Sequence, residues 1–363
     1  MDLVYATLTP ANSLARLALS DTYDTLMARG QDAQDKDNVV HRMQVQPTRE
    51  YDADVYRLQR EVQRRLHKGD GFSSDSLSDA EGDVAISNTR DLGMIWTGRY
   101  LLSFEPGPLD PEFGWTAGKQ QGHVDLLLCT TTFDKVHGVN LRSMHARFNF
   151  DRDNRAFFIA GKSDPRRRVA KLSVNGDVVS GKQHTLNQHS MPITFGQLNY
   201  VLQYTDWAET PAFMARLETY MTTFLKAPSV IDFEMPTPAS SVRTLGQWTL
   251  SKPLGRGASG KVFLASNSSN EMVAVKIVEW NSRTARSVDR EVHTFRQLAK
   301  EDWDGEDDKR IVCLREVIGY PGDNQLPSST PSPFQEVAII MVPVTRTTLS
   351  NLIDPDSASG YVF

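Results

Sequence analysis

Cysteine is nearly absent from this chain. Among 363 residues only Cys129 and Cys313 occur, which excludes a disulfide framework or a thiolate zinc site and suits two buried thiols in a reducing compartment. No apolar run approaches the roughly 18 residues that a membrane helix needs. The opening Met1-Asp2-Leu3-Val4-Tyr5 lacks the basic and apolar regions of a secretory signal. Neither sign of charge is in large excess, with 40 Lys and Arg against 45 Asp and Glu and a net charge of −5, so nothing global calls for nucleic acid. These absences lead us to expect a soluble intracellular protein, nuclear or cytoplasmic, with neither nucleic acid nor a membrane as partner. The length suits two domains plus tails.

What is present changes in texture along the chain. Residues 1–92 are polar and charge-mixed, and read as a mostly disordered arm. Within them Val55, Leu58, Val62 and Leu66 recur at helical spacing, predicting one amphipathic helix from about Glu50 to His67. Gly69 to Asp83 is acidic and serine-rich, a solvated linker with little to bury. From 94 to 205 short β-type runs alternate with Gly, Pro, Asn and Asp: Arg99–Phe104, Val124–Cys129, Ala146–Phe150, Ala156–Ala160, Lys171–Val174, Met191–Phe195 and Asn199–Tyr204. Short strands at this spacing predict an all-β sandwich. Residues 206–228 hold a helix, with Pro211 in the first turn after Thr210 and Phe213, Leu217, Tyr220, Met221 and Phe224 on one face. Residues 229–245, with Pro236-Thr237-Pro238, form a linker, and 246–363 form a second, α+β domain.

That second domain opens on Leu254-Gly255-Arg256-Gly257-Ala258-Ser259-Gly260-Lys261-Val262, followed by Val273-Ala274-Val275-Lys276. Glycines so spaced let a backbone close over phosphates, and three motif types share them. A dinucleotide fingerprint or a Walker A loop must open a helix. Here Lys261-Val262-Phe263-Leu264-Ala265 is strand-like, and Val262 stands where a Walker A loop needs Ser or Thr for Mg²⁺. The glycines are therefore expected at the tip of a β-hairpin. A helix over Ser287–Lys300 brings Glu291 fifteen residues beyond Lys276, and strands follow at Ile311–Ile318 and Glu336–Val342.

Over Leu245 to Ile353 this order resembles the small lobe and hinge of the protein kinase family. The resemblance implies ATP binding by Leu254, Gly255, Gly257, Ser259, Gly260, Val262, Ala274, Lys276, Met341 and Val342. Lys276 would reach the α and β phosphates, Glu291 would orient Lys276, and Thr348 to Ile353 would begin the next helix. The family also uses Mg²⁺, but the sequence contains no His-Arg-Asp and no Asp-Phe-Gly, so the catalytic aspartate and the metal ligands are missing. The chain as written is expected to transfer no phosphate, a truncated product being the simplest account.

The earlier β region resembles forkhead-associated domains, through Leu141-Arg142-Ser143-Met144-His145-Ala146-Arg147-Phe148 and Leu172-Ser173-Val174-Asn175-Gly176. These sandwiches read phosphothreonine and occur fused to serine/threonine kinases. The resemblance implies phosphopeptide contacts from Lys119, Arg142, Ser143 and Asn175, with His145 and Gly176 structural. Two positions depart from the pattern. Lys119 offers a point charge where an arginine fork is usual, and Arg142 and Ser143 stand where the pattern has serine and arginine. Asn175-Gly176 is also the commonest hairpin turn pair, and Arg166-Arg167-Arg168 reads as a solvated turn. Two readings stay open: a kinase recruited to primed partners, or its own phosphorylated Thr237, through its sandwich; and a catalytically inactive phosphopeptide-binding or pseudokinase fragment.

Overall fold

The computed structural model describes residues 3–28, 39–69, 92–152, 154–161, 171–179, 183–227, 243–257, 260–269, 271–298, 312–320 and 335–342. Ser259, Arg166-Arg167-Arg168, Thr237, most of the acidic serine-rich stretch and residues 343–353 lie outside them. The chain divides into two units, one of Met1–Phe150, Phe158–Gln183 and His189–Ala227, the other of Asp151–Phe157, His184–Gln188 and Pro228–Phe363. No helix among the described residues is long and apolar enough to cross a membrane.

The N-terminal region corrects the reading of 1–92 as an arm with one helix. It supplies β1 (Val4–Pro10), α1 (Ser13–Ala28), a 3-10 turn (Val39–Arg42), β2 (Met43–Tyr51) and α2 (Ala53–Gly69). β1 is an interior strand. It pairs with β3 (Met94–Ser103) on one side and β12 (Leu198–Tyr204) on the other, Ala6 standing opposite Leu102 and Tyr204. Tyr5, Ala6, Thr7 and Leu8 are all buried, so both faces of β1 are covered. Asn12 starts α1 by accepting the Ala15 N–H at 3.0 Å, and Asp52 starts α2 by accepting from Asp54 and Val55, which satisfies helix donors that have no backbone partner.

Two sheets make up the β-rich part. The first has the order β2-β3-β1-β12-β11-β8-β9, with β8 (Leu172–Val174), β9 (Asp177–Val178) and β11 (Ser190–Phe195). The second has the order β10-β7-β6-β4-β5, with β4 (Trp115–Gly118), β5 (Leu126–Leu127), β6 (Met144–Phe150), β7 (Phe157–Gly161) and β10 (Gln183–Thr185). Aromatic side chains fill the space between them. Tyr5 of the first sheet meets Trp115 edge-on at 5.5 Å and Phe150 at 5.6 Å, and buried Tyr100 donates to the Leu127 carbonyl at 2.6 Å. Helix α4 (Pro211–Thr223), capped by Thr210, seals one end with Phe213 and Tyr220, the latter stacked 5.6 Å from Trp115. Between β5 and β6 in the chain, α3 (Thr131–His137) starts at Thr130 and stops at left-handed Gly138.

Among the described residues the second unit has one six-stranded sheet, order β13-β14-β15-β16-β18-β17, and one α-helix. The strands are β13 (Thr244–Leu245), β14 (Trp248–Gly257), β15 (Gly260–Ser266), β16 (Met272–Trp280), β17 (Cys313–Ile318) and β18 (Gln335–Val342), and α5 is Ala285–Leu298. Pro253 lies inside β14, where it cannot donate to a ladder. The register slips on both sides of it, the bulge a proline needs in an interior strand.

Candidate functional site

The pleat of β16 sorts its residues onto two faces. Val273, Val275 and Ile277 pack with Trp248, Leu250, Ala265, Ala338 and Ile340. Ala274 and Val278 face the other way, toward Val288 and Val292 of α5 and Val337, Ile339 and Met341 of β18. Lys276 alternates with them and so rises on the α5 side.

Strand register carries the rest of the site onto that face. Val262 is opposite Lys276, which is opposite Ile339; Leu264 is opposite Ala274, which is opposite Met341. Directly opposed residues share a face some 5 Å apart, so Val262, Ala274, Lys276 and Met341 form two adjacent rows. Leu254, beside the β14 bulge, packs with Leu264 and Met272 and joins them. Val342 does not. Its side chain belongs to the opposite face, against the Trp248 cluster. Leu264 and Ile339 were not singled out from the sequence, although counting by two from Val262 and from Met341 reaches both.

The glycine hairpin is a strand turn and opens no helix. Gly255 pairs with Val262 and Gly257 with Gly260, and β15 continues directly from Gly260 as strand, which leaves no room for a Walker A or dinucleotide arrangement. A Cβ built on Gly260 would lie 2.3 Å from the Ile277 carbonyl oxygen. That oxygen belongs to β16, so no side chain is tolerated where the hairpin crosses the lysine strand.

The Lys276 Nζ lies 2.6 Å from Glu291 Oε1. The two side chains are only 16% and 25% exposed. Helix α5 presents Glu291 because Val288 and Val292 bury one stripe against the sheet, and a residue three beyond Val288 sits on nearly the same side. The helix entry is ordered by Asn281, which accepts from Arg283 and Thr284. The carboxylate takes one of the three hydrogens that an ammonium can donate. Lysine on this face, a glycine-only crossing and small Ala274 in the adjoining row together suit a phosphate chain and a flat base. Among the described residues no group of three or more metal-ligating side chains occurs.

In the first unit the loop ends bring three of the four phosphopeptide candidates together. The Lys119 N–H donates to the carbonyls of Arg142 and Ser143 at 3.2 and 3.1 Å. Gly118 permits this approach, since a Cβ there would lie 2.1 Å from the Ser143 oxygen. The Lys119 ammonium is ion-paired with Asp134 Oδ2 of α3, whose other oxygen accepts the Leu141 N–H at 3.0 Å. A carboxylate thus occupies the charge expected for phosphate, a partner no motif contains. Ser143 is exposed and Arg142 half-buried. His145 is 3% exposed, and its Nδ1 accepts the Arg142 N–H at 3.4 Å. Burial, with the Arg142 charge adding to it, brings its pKa down to about 4. Burial, with the Asp134 charge next, pushes the Cys129 thiol up to about 12, so it is no nucleophile at neutral pH.

Asn175 is accounted for by its turn. With φ of 52° and 89°, Asn175 and Gly176 fill both positive-φ positions between β8 and β9, where Val174 faces Asp177. The Asn175 N–H donates to the Pro192 carbonyl at 2.9 Å, and no recorded bond among the described residues joins it to Lys119 or Arg142. A scan against protein-family models finds no match to the chain, and a search of curated proteins finds none either.

Proposed function

We propose that the second unit binds ATP as the small lobe of a serine/threonine protein kinase, and that the first unit is a forkhead-associated sandwich that recruits partners, in the nucleus or cytoplasm. The observation that carries this reading is the Lys276–Glu291 ion pair, 2.6 Å long, on the face shared by Val262 and Ala274. A lysine meeting a glutamate beneath a glycine hairpin is the arrangement that holds the α and β phosphates in that family. Bound ATP would supply the transferable phosphoryl group. The protein's own part is to hold its phosphates at Lys276, with Glu291 fixing the amine, Gly260 letting the hairpin close and Val262 and Ala274 flanking the base. Phosphoryl transfer itself would need a catalytic aspartate and metal-binding loops, which that family carries outside its small lobe.

A fluorescent ATP analogue titrated into the full chain tests this. Lys276→Met removes a charge-assisted hydrogen bond, and affinity is expected to fall about ten- to a hundredfold. Equal affinity in that variant refutes the assignment. For the first unit, phosphothreonine recognition rests on Arg142 and Ser143, because Asp134 already holds Lys119. Phosphothreonine peptides are expected to bind more tightly than their unphosphorylated forms and to lose that preference in Arg142→Ala. Equal binding of both peptide forms would leave the sandwich an interaction module without phosphate chemistry.

A further inference from the structure

Helix α5 is held to the sheet by one apolar stripe. Val288 and Val292 are its only fully buried residues, with half-buried Phe295 packed beside them, and a single apolar stripe sets the roll of a helix about its own axis only loosely. Glu291 reaches Lys276 at one roll setting only, since each residue of rotation is about 100°. A second attachment exists at the far edge of the sheet. Tyr320, just beyond β17, donates its hydroxyl to Asp289 Oδ1 at 2.6 Å. Its ring meets Trp280 edge-on at 5.5 Å, and the Arg296 guanidinium sits 5.3 Å above it. Asp289, Val292 and Arg296 follow one another at helical spacing, so Tyr320 grips one continuous stripe of α5. Gly319, at φ of 75°, turns the chain to deliver it. Its Cβ position would lie 2.8 Å from the Glu336 carbonyl, so the turn too is closed to side chains.

The two polar attachments are well separated. Lys276 is on β16 and Tyr320 follows β17, with β18 between them, so the strands that carry the two attachments lie about 10 Å apart at the usual spacing. Two anchors on strands that far apart, at residues two positions apart in the helix, set its roll where one would not. We propose that Tyr320 is a positioning residue whose hydroxyl bond to Asp289 holds α5 at the setting where Glu291 meets Lys276. The consequence for nucleotide affinity rests on the function proposed above; the positioning itself does not.

The test uses the full chain and the reactivity of the Lys276 amine toward an acylating reagent, mapped by mass spectrometry against the other lysines. Paired with Glu291 and covered by α5, that amine is shielded, and Glu291→Ala sets the upper limit of its exposure. Tyr320→Phe keeps the ring against Trp280 and removes only the hydroxyl; Asp289→Ala removes the acceptor. Each is expected to raise Lys276 acylation about three- to tenfold, as loss of one solvent-exposed hydrogen bond implies, and the double variant no further. Acylation unchanged from the parent chain in both single variants overturns the proposal. So does a rise accompanied by new alkylation of half-buried Cys313, which would report general loosening. ATP-analogue affinity is measured alongside. A parent chain that binds no analogue sinks the nucleotide reading while leaving the acylation result to decide on Tyr320.

Discussion

Acid should weaken the first unit through His145, by an amount the structure allows to be worked out. The imidazole is 3% exposed and burial brings its pKa down to about 4, against about 6.5 in an unfolded chain. Below pH 6.5 the unfolded chain takes up a proton that the folded one refuses. Stability is therefore complete above 6.5, declines as pH falls toward 4, and levels off below it. The full gap is worth about 3 kcal/mol, of which about 2 kcal/mol is already lost at pH 5. Because the ring is buried, solvent screening takes little from this figure. His145→Asn is the matched control, since an amide oxygen replaces Nδ1 as acceptor for the Arg142 N–H and does not titrate. Urea unfolding at pH 7.5 and pH 5 should show the parent chain losing about 2 kcal/mol more than the variant. His137, also lowered to about 4 by burial, contributes to both and cancels. Equal losses, or an imidazole resonance of His145 that titrates near 6.5, would refute the argument.

Two further outcomes follow from packing in the same unit. Gly118→Ala places a Cβ 2.1 Å from the Ser143 carbonyl oxygen, forcing β4 away from the Arg142–Ser143 loop; a stability loss above about 2 kcal/mol is expected by thermal unfolding, and an unchanged melting temperature would mean that the loop yields freely. Asp125→Ala strips a fully buried carboxylate that accepts from Leu109 and from the amide and hydroxyl of Thr116 and is ion-paired with Arg42, itself 4% exposed. Removing one member of such a pair costs about 3–5 kcal/mol, and an observed loss below about 1 kcal/mol would show that water takes the carboxylate's place.

Legibility in the sequence followed from where the determining interactions lie. The hairpin, the lysine strand and α5 announce themselves because local sequence decides them: glycines forced by close approach, strict alternation along β16, and a valine stripe on the helix. β1 gave no such signal. Its residues are buried on both faces, which erases the period of two, and both partners are remote in sequence, Leu102 and Tyr204 standing opposite Ala6. The starts of α1 and α2 were readable in principle, since Asn12 and Asp52 are residues that cap helices, but only an expectation of structure there would have prompted the search. β4 is four residues long, too short for any period to register.

The loop end of the first unit shows why motif and site are different things. Gly118, His145 and Asn175-Gly176 occupy their positions for reasons the backbone supplies: a carbonyl 2.1 Å from a would-be Cβ, a buried ring accepting an amide, and a turn that needs two positive φ angles. Such residues recur wherever the framework recurs, whether or not phosphate is bound. Lys119 differs, because its chemistry is settled by Asp134, fifteen positions on and carried by α3. Lys119 could therefore join Arg142 and Ser143 in holding a ligand only where a dianionic phosphate displaces that carboxylate. Asp134 also holds the Leu141 amide, so releasing Lys119 need not release the loop, and the exchange is confined to one side chain. The Lys276–Glu291 pair has the same composition; under the proposed function an anion would add to that pair, since an ammonium carries three donors and the carboxylate takes one.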